Sequence, residues 1–465
     1  MTELWELGAL ELAAKIRAKE VSSREVLDAH LERVDHVNGH LNAVVRVLAD
    51  EATAAAEAAD AAVAAGEELR PLHGVPCSVK ENIDVAGTPT TNGLEALKDA
   101  VAPIDAPSVA RMRAAGAIPF ARTNLPDLGL RVHTDSQLHG LTRNPWNPDV
   151  TAGGSSGGEA AALASGMSPI GLGNDIGGSL RNPANCCGVA SLKPTTGVVP
   201  EATVIPPEDA SLAPQLMAVE GPMARRVADL RAGFEAIAGQ HLQDPTSLPV
   251  VLRDAADGER MRVAVLADPP GGATDPAIAA VIQSVGDRLS DSGHDVVEAT
   301  PPDYEQILEL WAELLIADVR QMRPILEQLM GEGGLAVIAQ VDEQLPPTDL
   351  ARQYQLHVDR FRLMREWSAF YVDHPVVLSP TWALPAFGHD ADIDGGVDML
   401  EVIRPVMAAN FLGFPSAVTP AGLANGMPVG VQVMCDRFHD PRCLTVAAEI
   451  ESLVGILTPI DPIRV

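Results

Sequence analysis

Two glycine-rich turns, Gly153-Gly154-Ser155-Ser156-Gly157-Gly158 and Gly177-Gly178-Ser179, constrain this 465-residue chain more than any other feature. Glycine loses more freedom on ordering than any other residue, so glycines gathered around serines imply backbone shapes or close approaches that a side chain would forbid. Between the two turns, Glu159 to Met167 is a run of small residues suited to a short packed helix. Turns of this kind aim several amide N–H groups into one pocket, which suits a phosphate or the oxyanion of a tetrahedral intermediate. Phosphate has little support, because no glycine-rich loop here ends in Lys-Ser/Thr and no G-x-G-x-x-G opens a strand–helix unit. Taken singly, either turn reads equally well as a tight polar loop.

Length and composition bound the rest. The chain is long enough for a large core, and 46% apolar residues with 21% charged is the balance of an ordinary folded enzyme. The formal charge of -30 argues against a nucleic-acid binder, which needs a positive footprint for phosphates. Five cysteines without C-x-x-C spacing, Cys186 and Cys187 adjacent, suggest buried reduced thiols rather than a metal site or a disulfide scaffold. No basic-then-apolar leader opens the sequence and no apolar run reaches membrane-spanning length. The expectation is a cytoplasmic chain without cofactor or metal.

Read in order, apolar spacing predicts a helix over residues 4–20. Ser22 with Glu25 forms a capping box for a second through Val37, and Asp50 stands as N-cap of a third through Ala65. Residues 72–80 read as a turn leading into a short buried strand that ends at Lys80; further strands are expected at 118–121, 188–192, 261–267, 295–298 and 375–378, with helices at 108–115 and 275–289. Glu220 to Met223 reads as a loop before a helix ending at Ala238, residues 301–373 as mainly helical, and 388–396 as a Gly/Asp-rich loop. Helices alternating with short strands imply an α/β sandwich around a covered, mixed sheet. No repeat or linker divides residues 1–465, which are expected to form one domain: helices at 4–65, a core at 70–240 and a substrate-facing region at about 300–400.

A serine becomes a nucleophile when one group takes its proton and another holds the oxyanion. Gly153 to Gly157 satisfies the G-x-S-x-G string, but the preceding Asn144-Pro145-Trp146-Asn147-Pro148 reads as loop rather than strand, and His439 is the late histidine candidate for it. A Ser-Lys arrangement is the alternative. Lys80 ends an apolar strand and is one of five lysines among 33 basic residues, which hints at a group that must lose its proton; a structural salt bridge is the competing role. Asp175 is placed to accept amide bonds or to pair with Arg181 rather than to act as an acid.

The chain resembles the amidase signature family. The likeness rests on Gly74-Val75-Pro76 with Lys80, Thr123-Asn124, Asn144-Pro145-Trp146, the serine block from Gly153, and Asp175-Ile176-Gly177-Gly178-Ser179 with Arg181. It continues through Lys193-Pro194-Thr195, Gly221-Pro222-Met223-Ala224-Arg225 and Gly426-x-Pro428-Val429-Gly430-x-Gln432. It implies a three-layer α/β/α sandwich with a central mixed, twisted sheet, and a Ser-Ser-Lys triad. In that triad Ser179 is acylated, Ser155 bridges on a cis peptide bond, and Lys80 is the base. The amides of Ile176, Gly177, Gly178 and Ser179 would form the oxyanion hole, with Ser156, Asp175 and Arg181 in support. The segment Asp127 to Ser136, with Asp127, Leu128, Leu130, Arg131 and His133, resembles one that lines the acyl pocket. Three departures, Arg122, Asn174 and Asn182, are expected to leave the triad untouched.

The implied activity is hydrolysis of a small aliphatic, aryl or amino-acid amide, releasing carboxylate and ammonia or amine. A homodimer is allowed, and neither nucleic acid nor membrane is an expected partner. The alternatives are the glutaminase subunit of a tRNA-dependent amidotransferase, or a non-catalytic binding protein that keeps the fold. Against the former, Gly197-Val198-Val199-Pro200 and Ala218-Val219-Glu220 depart from the runs usual in such glutaminases.

Overall fold

Local signals place the first elements. In the computed structural model, which describes residues 3–249, 252 and 258–463, a single 3-10 turn precedes α1 (Ala9–Arg17) and α2 (Ser23–Leu41). The Ser22 hydroxyl accepts from the Glu25 amide at 3.1 Å and the Glu25 carboxylate accepts from the Ser22 amide at 2.8 Å, so the capping box starts α2. After β1 (Val44–Val47) comes α3 (Ala49–Ala65). Its N-cap is Leu48, with no side-chain cap, so Asp50 lies inside the first turn, where a carboxylate still suits the helix dipole.

Next come β2 (Pro76–Lys80), α4 (Pro107–Ala114) and β3 (Ile118–Thr123), then a small hairpin of β4 (Asp135–Ser136) and β5 (Gly140–Leu141). The serine region supplies α5 (Gly157–Ala164), β6 (Ile170–Asp175), α6 (Arg181–Cys187) and β7 (Ala190–Lys193). Every residue of α5 is buried, which its run of glycine and alanine permits. Beyond α7 (Leu212–Met217) the chain forms β8 (Val219–Ala224), a central strand where the sequence suggests a loop. Gly221 explains the difference: with no side chain it lets the Leu192 carbonyl of β7 press against the strand.

The remaining elements are α8 (Val227–Ile237), β9 (Arg262–Val265), α9 (Pro276–Asp291) and β10 (Asp295–Glu298). Three long helices follow, α10 (Tyr304–Leu329), α11 (Glu332–Gln344) and α12 (Leu350–Asp373). Then come β11 (Val376–Pro380), α13 (Met399–Ile403), α14 (Met407–Leu412), the hairpin β12 (Ser416–Ala424) and β13 (Met427–Met434), and α15 (Asp440–Val454).

Among the described residues eleven strands pair in one mixed sheet, in the order β1-β3-β2-β6-β8-β7-β12-β13-β11-β9-β10. The pairs β2–β3, β2–β6, β9–β10 and β9–β11 are parallel and the others antiparallel. One apolar layer packs α5, α6, α10, α12 and α14 on one face, and a second packs α1, α4, α8, α9 and α15 on the other. The result is an α/β/α sandwich. The five cysteines are buried and free. Among the described residues no helix is long and apolar enough to cross a membrane.

Candidate active site

Lys80 ends β2 between two parallel neighbours, at the carboxyl edge where such sheets place their sites. Its side chain is fully buried, and its Nζ lies 2.7 Å from Ser155 Oγ and 2.6 Å from Asn174 Oδ1. Burial pushes the amine down to about 7 against the opposing pull of the Asp175 carboxylate. An amine in that range is substantially neutral at ordinary pH and can take a proton from a hydroxyl.

Ser155 follows a cis peptide bond from Gly154. Gly153 has φ of +80°, and a Cβ on it would sit 2.7 Å from the Pro183 Cα, so the turn needs glycine for both conformation and space. The Ser156 amide donates to the Ser179 carbonyl at 3.2 Å, which stitches the two serine turns together. The Ser156 hydroxyl reaches the Asn174 carbonyl at 3.4 Å.

Ser179 stands on a strand–turn–helix, between β6 and α6, and is 5% exposed. Asp175 organises that turn. Its carboxylate accepts from the Gly178 amide at 2.7 Å, the Leu180 amide at 3.1 Å and Asn410 Nδ2 at 2.9 Å, and pairs with Arg181 at 3.0 Å. Burial pushes this carboxyl up, but Arg181, Lys193 and Asn410 outweigh it and hold the group below the usual carboxylate range. Of the four amides expected at the oxyanion hole, that of Gly178 donates to Asp175. Those of Ile176, Gly177 and Ser179 carry no intramolecular hydrogen bond among the described residues.

In front of Ser179 opens a cleft of about 710 Å³, its mouth included, with Leu130, Trp311, Leu315, Ile316, Val337 and Ile403 among its walls. Trp311 closes one side: its indole lies against Gly177, and its Nε1 donates to the Ile176 carbonyl at 3.0 Å.

The chain matches the Amidase family over residues 25–444. The chain belongs to the amidase signature family. Over 459 residues, 98% of this chain and 88% of the relative, it is 39% identical to an indoleacetamide hydrolase of Bradyrhizobium diazoefficiens. It is 32% identical to a glutamyl-tRNA(Gln) amidotransferase subunit of Salinispora arenicola, covering 99% of both chains. The solved structure of 6-aminohexanoate cyclic dimer hydrolase with its substrate superposes with a TM-score of 0.84 at 27% identity, covering 97% of this chain and 98% of that one. The chain is thus an amidase-signature hydrolase of serine-based mechanism.

Within this amidase, the residues expected to line the acyl pocket separate. Leu130 and Arg131 line the cleft; Asp127, Leu128 and His133 do not. Asp127 instead accepts the amides of Gln137 at 2.8 Å and Gly331 at 2.6 Å, so it anchors the corner between α10 and α11. Leu128 packs in the small apolar cluster under those helices. His133 is buried with Nδ1 2.9 Å from Thr151 Oγ1. His439 precedes α15 and bonds the Arg437 carbonyl at 3.1 Å, so it is no partner for either serine.

Two departures from the family pattern touch the site after all. Asn174 contacts Lys80 directly. Arg122, fully buried, donates to the Ile83 carbonyl at 2.6 Å and the Pro89 carbonyl at 3.2 Å, bracing the turn that follows Lys80. The sequence signal for the second is an arginine directly after the apolar run Ile118-Pro119-Phe120-Ala121. Asn182 donates to the Gly177 carbonyl at 3.2 Å, within the serine turn.

Proposed function

We propose that this chain hydrolyses an uncharged amide with a compact apolar or aryl acyl group, through an ester on Ser179, and releases ammonia or a small amine. The observation that carries the reading is the 2.7 Å contact between Lys80 Nζ and Ser155 Oγ beneath an apolar cleft that Ser179 also lines. A side-chain lining of Leu, Ile, Val, Met and Trp favours a group that gains by leaving water, at about 25 cal/mol per Å² buried. The relative named for indoleacetamide points to the same chemical class.

In the proposed reaction the Ser179 hydroxyl attacks the amide carbon and passes its proton to Ser155, whose own proton goes to neutral Lys80. The carbonyl oxygen becomes an oxyanion facing the amides of Ile176, Gly177 and Ser179, and preorganised N–H donors stabilise it without reorientation. The C–N bond then breaks as the proton returns through Ser155 to the leaving nitrogen. Water attacks the ester by the same relay, leaving a carboxylate and the resting hydroxyl. Asp175 and Arg181 keep the donor turn in shape.

The test is ammonia release from phenylacetamide and indole-3-acetamide, with glutamine as the contrasting substrate. Turnover of the aryl amides by the wild-type chain, lost in Ser179→Ala, is expected. Turnover of glutamine alone, rising when the other components of an amidotransferase are added, would replace this reading with the glutaminase one.

A further inference from the structure

Among the described residues that line the cleft, Arg131 is the one with a charge. Its guanidinium is held by neighbouring carboxylates. Nε donates to Asp392 Oδ2 at 2.6 Å and Nη2 to Asp392 Oδ1 at 2.7 Å, a two-point pairing, and Nη2 also reaches Asp390 Oδ1 at 3.0 Å. Nη1 has only the Asp135 carboxylate at 3.7 Å, longer than a hydrogen bond. It faces the first turn of α11, where a Cβ on Gly333 would lie 3.1 Å away; one turn later Val337 lines the cleft.

Asp392 does not line the cleft. Its side chain is fully buried on the loop 388–396, which is pinned by Gln340 Nε2 donating to the Ile393 carbonyl at 2.9 Å and by a bridge from Val150 to Gly388. A buried ion pair is a poor way to gain stability, since two apolar side chains of similar volume often do as well or better. The pair asks for another reason. Three carboxylates around one guanidinium leave this corner of the wall net negative. A hollow beyond Ala312 and Leu400, residues it shares with the cleft, is lined by Glu309, Asp398, Glu401 and Arg404, of which Glu401 pairs with Arg404 at 3.3 Å. An anion entering the cleft here meets like charge, and Arg131, the cation in the cleft lining, is already paired through Nε and Nη2.

We propose that Asp392 is a specificity-determining residue: by neutralising Arg131 in the cleft wall it makes the site take uncharged acyl groups and refuse those that carry a carboxylate. The proposal rests on the reading of the cleft as the acyl pocket. With the charge of Asp392 removed and its shape kept, the guanidinium becomes available to a substrate carboxylate, and the preference shifts.

The experiment compares 4-nitrophenylacetamide with 4-carboxyphenylacetamide, nearly equal in shape and different in charge, across the wild type, Asp392→Asn, Asp390→Asn, and Asp392→Asn combined with Arg131→Met. The wild type is expected to favour the neutral amide. Asp392→Asn should raise the ratio of kcat/KM, carboxylated over neutral, by roughly tenfold or more, chiefly through KM, as expected when like charge is replaced by an open cation. Adding Arg131→Met should return the ratio to the wild-type value or below. Asp390 is exposed, so Asp390→Asn is safe for folding and should move the ratio the same way by roughly threefold. An unchanged ratio in Asp392→Asn, or a raised ratio that survives Arg131→Met, overturns the proposal. If Asp392→Asn does not fold, an unchanged ratio in Asp390→Asn overturns it. Wild-type protein inert toward both amides would instead sink the proposed function.

Discussion

The bed that carries the serines and the wall that faces them are built on opposite plans. In the bed, from Gly153 to Arg181, every side chain but those of Asn174 and Ile176 is buried, and the geometry is set by backbone turns and the carboxylate of Asp175. The wall, from α10 and α11, is a set of aliphatic side chains at helical spacing, several of them only half buried, closed by one indole. One region fixes atoms to within a hydrogen-bond length; the other only excludes water and offers shape. The bed is thus expected to govern turnover and the wall to govern which amide is chosen.

The sharpest way to break that division is to change the bed. Ser179→Ala and Lys80→Met are each expected to lower kcat by about a thousandfold or more while the fold survives, read by ammonia release beside a circular dichroism melt. Asp175→Asn should follow, with roughly a hundredfold loss of kcat and a lower melting temperature, because the buried Arg181 loses its ionic partner. Wild-type kcat in Ser179→Ala or Lys80→Met would end the assignment.

Acidity sharpens the comparison next. Lys80 works only when neutral and its burial brings it down to about 7, so kcat/KM should rise through that pH and fall about tenfold per unit below it. Glu159, buried and bonded to Ser78 and Thr123, is pushed up by burial to about 7 and helps keep the nearby Lys80 protonated. Glu159→Gln removes that negative charge, so the midpoint should move toward acid by roughly one unit or less. A profile flat from about pH 5 to about pH 9 would contradict the role of Lys80. The smallest effect belongs to the wall: Ile316→Ala should raise KM for an aryl amide by roughly tenfold at most with kcat nearly held, although the cavity costs about 2–5 kcal/mol of stability. A collapse of kcat there would mean that wall and bed are not separable.

The same contrast explains what could be read from the sequence. Glycines and serines at fixed spacing name the bed, because few other residues tolerate the φ values of Gly153 and Gly178 or the crowding around them. The helices of the wall were legible as helices, yet nothing marks Trp311 or Ile316 as facing a cleft, since burial against a ligand and burial against a core use the same apolar residues. Lysine rarity was a partial signal. Lys193 is as buried as Lys80 and is also brought down to about 7 by burial, but its Nζ bonds the Pro194 carbonyl at 2.8 Å rather than a serine. Strand β8 was missed because Gly221 and Pro222 look like a turn when their neighbours in the sheet are unknown.

Asn174 has one further effect on the relay proposed for Lys80. An uncharged amine carries two hydrogens and a single lone pair, and which way the pair points decides whether it can receive anything. An amide oxygen 2.6 Å away captures one of the hydrogens, leaving the electron pair to swing toward the hydroxyl on the other side. The base is thereby aimed as well as discharged.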